Sequence, residues 1–342
     1  MLSAQHISIG YAASSYRKGV KLYDDLSFDL DAGELTCLLG ANGAGKSTLL
    51  KTLSAMQPPL SGHIFLHGKS LSKYSESELS RELGVVLTDR TSVGGLTVTQ
   101  LVALGRYPYT GFFGRLSKND HAVVEKAMSD VGVAHKAQAY MAELSDGERQ
   151  KAMIAKTLAQ ECPVILLDEP TAFLDIASRI EMLELLHQLT AVQGKTILLS
   201  THDVETALLF ADRLWLLSRG QGLECGATED MLFGNSMALF LERENITFDR
   251  RTGSFRPVQN FDEYVFLQAE GDLKYWTQNF LRRNGWDVTD DEYKAAFSLK
   301  APAKDRLFVR NAAAEADFDS FEKLRKYLFQ NSYKKFHNQK TI

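Results

Sequence analysis

Cysteine is scarce: the 342 residues hold three, Cys37, Cys162 and Cys225, far apart and with no CxxC spacing. That argues against a disulfide framework, and all three read as reduced, structural thiols. Long apolar runs are missing as well. No stretch approaches the roughly 18 uninterrupted apolar residues of a membrane span, and the opening MLSAQHISIG lacks the basic and apolar regions of a secretory signal. A cytoplasmic protein is expected, touching a membrane only through another chain. No excess of one charge exists, since 39 basic residues stand against 43 acidic ones for a net charge of -4. Blanket attraction to nucleic acid or anionic lipid is therefore excluded. Internal repeats and low-complexity tracts are absent too. What remains is an ordinary packed composition, 44% apolar and 24% charged, with length enough for two domains.

Short strand patterns open the chain (HISIGY, LSFDL, ELTCLLG), followed by a Gly-rich turn and the helical run KSTLLKTLSAM. Another strand, HIFLHG, comes after a Pro-Pro, Ser-Gly turn. Helical periodicity dominates from Thr97 to Ala159, with Val123, Ala127 and Val131 along one face, and reads as a helical insertion at about residues 92–155. The order PVILLDEP, ASRIEMLELLHQL, KTILLSTHD is strand, helix, strand, which implies a parallel sheet buried on both faces. Composition shifts near NITFDRRTGSFRP, and a domain boundary is expected at Pro257. Residues 258–342 hold 16 of the 34 aromatics. There Leu273, Trp276 and Phe280, and then Phe318, Phe321, Leu324 and Leu328, fall at helical spacing. With strand-like EYVFLQA and RLFVR, a small C-terminal α+β appendage of packing residues is expected.

GANGAGKST, Gly40 to Thr48, fits G-x-x-x-x-G-K-[ST] between a strand and a helix, the context that motif requires. Gly40, Gly43 and Gly45 allow backbone amides to wrap a phosphate chain, with Asn42, Ala44 and Thr48 in the same loop and helix start. Lys46 can reach between the outer phosphates, and the Ser47 hydroxyl can sit on Mg²⁺. VILLDEP then delivers Asp168 to the carboxyl edge of the sheet as a second Mg²⁺ ligand. Glu169 beside it suits a general base that orients water. A third element, ELSDGERQ, reads as an N-capped helix start, hence an anion seat.

LSDGERQ resembles the signature motif of ATP-binding-cassette (ABC) ATPases, usually LSGGQ, with Asp146 and Glu148 as departures; it lies some 18 residues before the VILLDEP strand. Over residues 1 to about 230 the resemblance implies an α/β P-loop cassette, with a mixed, largely parallel sheet and a helical subdomain. It implies adenine stacking on Tyr11, a D-loop ending at Asp175, and a γ-phosphate contact from His202. It also implies that Ser145, Asp146, Gly147 and Glu148 cap the ATP bound by a second copy of the chain, because one phosphate loop covers only one side of a nucleotide. The family usually places Gln where this chain has Thr88, so Thr88 stands at the position linking nucleotide to membrane partner.

The stretch Leu96 to Asp120, with GRYPYTGFFG, resembles the same region in ATPases of iron-siderophore, haem and vitamin B12 importers. The resemblance therefore implies an ATP-binding, ATP-hydrolysing importer subunit on the cytoplasmic face of a membrane. Its partners would be an integral permease and, indirectly, a substrate-binding protein. Two other readings stand beside it: the ATPase of another ABC transporter such as an exporter, and a soluble ABC ATPase acting on nucleic acid or ribosomes. The locally basic tail EKLRKYLFQNSYKKF alone favours the last, and nucleic acid is not an expected partner.

Overall fold

The computed structural model describes residues 2–13, 19–87, 94–111, 113–234, 236–241, 246–250, 253–311 and 314–330. Two compact units divide the chain, one ending at Arg256 and the other beginning at Pro257.

The first unit opens with β1 (Leu2–Tyr11), β2 (Val20–Leu30), β3 (Leu35–Leu39), α1 (Lys46–Leu53), β4 (Ser61–Leu66), β5 (Lys69–Ser70), α2 (Glu76–Glu82) and β6 (Leu83–Val86). The insertion follows as α3 (Val98–Ala103), α4 (Lys118–Asp130) and α5 (Asp146–Ala159). The chain then returns through β7 (Val164–Asp168), α6 (Ile176–Gln193), β8 (Thr196–Thr201), α7 (Val204–Phe210), β9 (Arg213–Ser218) and β10 (Gly222–Ala227). It closes with α8 (Thr228–Phe233), α9 (Ser236–Leu241) and the pair β11 (Ile246–Asp249) and β12 (Ser254–Pro257).

A six-stranded sheet in the order β10-β9-β3-β8-β7-β6 forms the centre. It is parallel except for β10 against β9. The unbroken apolar character of β7 and β8 follows from burial on both faces: every residue of each is buried. Alternate residues feed opposite cores, as a period of two demands. Leu38, Leu166 and Leu198 pack toward α1 and a second, antiparallel sheet, β2-β1-β4-β5. Leu39, Ile165, Leu167 and Leu199 pack toward the helices, including those of the insertion.

Each insertion helix starts on a reciprocal capping box: Thr97 with Gln100, Ser117 with Asp120, and Ser145 with Glu148. One buried cation ties the insertion together. Arg106 is 3% exposed; its Nε meets Asp120 at 2.8 Å, and its Nη1 meets Glu161 at 2.6 Å and the Ala159 carbonyl at 2.8 Å.

The second unit runs β13 (Tyr264–Gln268), α10 (Gly271–Arg283), β14 (Asp287–Thr289), β15 (Phe297–Ala303), β16 (Arg306–Arg310), β17 (Glu315–Phe318) and α11 (Phe321–Gln330). Its mixed sheet has the order β14-β13-β15-β16-β17. Val265, Leu299 and Leu307 from the sheet pack with Phe280, Leu281, Leu324 and Leu328 from the helices. Two stripe expectations fail here. Trp276 is 60% exposed, the buried line on α10 being Thr277, Phe280 and Leu281. Phe318 ends β17, where pairing with β16 overrides its apparent helical spacing.

Candidate functional site

The loop from Gly40 to Gly45 fills the turn from β3 into α1. Gly43 and Gly45 have φ of 75° and 108°, left-handed values that a side chain would resist. Gly45 also lies beneath a ring, since a Cβ there would meet Tyr23 Cε2 at 3.2 Å. The loop is held from outside itself as well: the Tyr23 hydroxyl donates to the Ala44 carbonyl at 2.7 Å, and Arg219 Nη2 donates to the Gly43 carbonyl at 2.8 Å. Neither residue was singled out from sequence. They lie 21 and 176 positions from their partners, beyond the reach of any local pattern.

Gly40, Ala44, Lys46 and Thr48 are buried, whereas Asn42, Gly43 and Ser47 are exposed at the loop rim. Lys46, the first residue of α1, turns Nζ back onto the Gly40 carbonyl at 2.7 Å. The same Nζ lies 3.5 Å from Glu169 Oε1, and Glu169 Oε2 lies 3.5 Å from His202 Nδ1. Residues from three segments of sequence thus converge at the carboxyl edge of the sheet. Tyr11, at the end of β1, is 57% exposed and its hydroxyl lies 3.1 Å from Thr48 Oγ1. Its ring therefore stands open beside the loop.

Asp168 is the last residue of β7 and is 5% exposed. Its Oδ1 accepts a 2.6 Å hydrogen bond from the Ser200 hydroxyl. Among the described residues no group of three or more His, Cys, Asp or Glu side chains could form a metal cage. The available donors, one carboxylate and the Ser47 hydroxyl on the contacting helix α1, fit instead the way Mg²⁺ binds alongside substrate phosphates. Beyond Asp168 the backbone turns sharply, Glu169 and Phe173 having φ of 47° and 67°. Asp175 then caps α6 by accepting from the Ser178 amide at 2.7 Å. Hydrogen bonds from that amide and the Ser178 hydroxyl hold its carboxyl below the usual range. Arg179 Nη1 binds Asp203 at 2.6 Å while Nη2 reaches the Leu174 carbonyl at 3.2 Å, so the residue after His202 is tied to the segment that leads into α6.

Ser145, Asp146, Gly147 and Glu148 form the start of α5, with Ser145 and Asp146 exposed. The Ser145 hydroxyl accepts from the Glu148 amide at 3.3 Å and donates to the Glu148 carboxylate at 3.0 Å. Both carboxylates that depart from the usual signature are matched by cations: Asp146 pairs with Arg149 at 2.9 Å and Glu148 with Lys136 at 3.3 Å. Hydrogen bonds from the Ser145 amide and hydroxyl, with Lys136 adding to them, hold the Glu148 carboxyl below the usual range. Among the described residues no hydrogen bond or ion pair joins this helix start to Lys46 or Glu169 within the protomer. Thr88 lies outside the described residues.

Residues 23–172 match the model of the ABC transporter family. The chain is 38% identical to the ferric enterobactin transport ATP-binding protein of Escherichia coli over 231 residues, 68% of this chain and 83% of the relative. An uncharacterized ABC transporter ATP-binding protein of Methanocaldococcus jannaschii is 34% identical over 292 residues, 84% of this chain and 98% of the relative. Among solved structures, a chain from an inward-facing ABC transporter described as metal-chelate type is 28% identical. Its TM-score is 0.61, covering 75% of this chain and 97% of that one.

Proposed function

Since the chain belongs to the ABC transporter family as one of its ATP-binding, ATP-hydrolysing importer subunits, we propose that it powers uptake of a metal chelate through a separate permease. The cargo class is an iron-siderophore, haem or cobalamin-type complex. The observation that carries the nucleotide chemistry is the convergence of Lys46, Glu169 and His202 within 3.5 Å contacts. The cargo class is supported by the likeness to a ferric enterobactin system.

In this reading the loop from Gly40 to Thr48 cradles the triphosphate and Tyr11 stacks the adenine. Lys46 balances charge between the outer phosphates. Glu169 accepts a proton from water aligned for in-line attack, and His202 meets the γ-phosphate. Mg²⁺, held by Ser47 and Asp168, would neutralise phosphate charge.

Cassettes of this fold dimerise. Here the second wall of each site is the partner copy's α5 start, where amides at a helix N-terminus favour an anion. The Ser145 hydroxyl can keep its capping role as acceptor while redirecting its proton from Glu148 to phosphate. Such a reciprocal contact generates a two-fold, head-to-tail pair. Asp175 ends the D-loop at that seam.

No helix among the described residues is long and apolar enough to cross a membrane. On this proposal the cassette, residues 1–257, works on the cytoplasmic face against its permease, with a substrate-binding protein delivering cargo. Tyr107 and Phe113, 77% and 82% exposed on the insertion, would meet the permease. Residues 258–342 form a separate α+β domain that regulates or steadies the pair.

Uptake of labelled ferric siderophore, haem and cobalamin by cells carrying the wild-type chain or Glu169→Gln tests this. Loss of uptake of one chelate in the variant is expected. Unchanged uptake of all three would remove the chelate assignment.

A further inference from the structure

β8 is apolar through Ile197, Leu198 and Leu199, and then places a hydroxyl, Ser200, at zero exposure. A hydroxyl there must find partners or cost stability. The parallel register sets Ser200 beside Asp168 on β7, and partners in register project to the same face. Ser200 Oγ donates to Asp168 Oδ1 at 2.6 Å and accepts from the Glu169 backbone N–H at 2.9 Å. A hydroxyl has one proton. The carboxylate can only accept it and the amide N–H can only donate, so both bond directions are fixed, with the amide reaching a lone pair of the same oxygen.

Glu169 needs that second bond. β7 ends at Asp168, so the ladder offers the Glu169 amide nothing further, and its φ of 47° is a conformation that non-glycine residues resist. This left-handed turn is what swings the Glu169 side chain away from the strand direction toward Lys46 and His202. We propose that Ser200 is a positioning residue for ATP hydrolysis, one hydroxyl that sets the carboxylate of Asp168 and the backbone turn of Glu169 together. It rests on the reading of Glu169 as base and Asp168 as cation ligand. Residues supporting a metal-binding carboxylate in this way typically change affinity or activity by about 10- to 100-fold.

The test uses the full-length chain and the variants Ser200→Ala and Ser200→Thr, with steady-state ATP turnover and the Mg²⁺ midpoint for thermal protection at saturating ATP. ATP binding without Mg²⁺, followed with a fluorescent analogue, should be unchanged in Ser200→Ala because Lys46 and the loop are untouched. Turnover should fall at least about tenfold and the Mg²⁺ midpoint should rise by about the same factor. Ser200→Thr should restore both. Either quantity staying at the wild-type value in Ser200→Ala overturns the proposal, including the case where only the melting temperature drops. Should Ser200→Ala not fold, Ser200→Cys, with a longer and weaker donor, is read by the same two measurements and the same criteria. Glu169→Gln runs alongside: full turnover there would overturn the base assignment, and thereby separates failure of that reading from failure of the Ser200 role.

Discussion

The ammonium of Lys46 lies 3.5 Å from Glu169 Oε1, and His202 holds the other oxygen of that carboxylate at the same distance. One acidic side chain therefore faces the two nitrogen groups that the proposed function sets against the γ-phosphate. Replacing it by Gln keeps size and hydrogen bonding but removes the ability to accept a proton. Glu169→Gln is expected to bind ATP and lower turnover by about 100-fold or more, accumulating ATP-bound pairs visible as a dimer by size-exclusion chromatography. Wild-type turnover in this variant would contradict the base assignment.

Lys46 is 6% exposed, and its charge has a carbonyl at 2.7 Å and a carboxylate at 3.5 Å as local partners. A phosphate would offer a stronger acceptor. Charge-assisted hydrogen bonds contribute about 1.5–3 kcal/mol, so Lys46→Ala should weaken ATP binding by about 10- to 100-fold. Titration with a fluorescent analogue measures this, and an unchanged dissociation constant would place the phosphates elsewhere.

Ser145 allows its cap and its proposed phosphate contact to be separated. Asp caps helices about as well as Ser, whereas Ala costs about 1 kcal/mol. Ser145→Asp should thus keep the amide cap, losing stability only through repulsion with the Glu148 carboxylate that the Ser145 hydroxyl bonds at 3.0 Å, while setting a negative charge against the partner's γ-phosphate and abolishing hydrolysis. Ser145→Ala should lose both stability and rate. Full ATPase activity in Ser145→Asp would leave Ser145 as a helix cap and nothing more.

Legibility in sequence followed the range of the forces involved. β7 and β8 were readable because burial on both faces writes an unbroken apolar run, and α5 because Ser145 and Glu148 cap it within four residues. Asp168 and Glu169 were legible from their place at a strand end and His202 from the family resemblance, and the fold brings Glu169 and His202 together. Ser200 went unnoticed, since a lone hydroxyl in a strand reads as a mere break in the pattern. Tyr23 on β2 and Arg219 in the turn after β9 brace the loop from far along the chain and leave no local trace. In the second unit, β14, β15 and β17 escaped notice, and the spacing of Phe318 with Phe321 mimicked a helix across a strand end. Short strands on a half-open sheet have weak patterns, and pairing decides them.

Arg106 and Asp120 join the start of α4 to the 3₁₀ turn before it, and Arg106 also reaches Ala159 at the end of α5 and Glu161 just beyond it. Hydrogen bonds from the Ser117 hydroxyl and amide, then from Arg106, lower the Asp120 carboxyl to about 2, against an ordinary value of 3.8. A group whose folded value is depressed contributes stability above its unfolded value and loses it as pH falls through the folded one. The contribution of Asp120 should therefore be full above about pH 4 and fade toward pH 2. Asp120→Ala leaves a buried guanidinium short of one partner, with an expected cost of about 3 kcal/mol at neutral pH. The cost should shrink in acid as the wild type itself loses the charge. Urea unfolding of both proteins at pH 7, 5 and 3 measures it, and a difference that stays constant across that range would show that packing, not the ion pair, holds the insertion together.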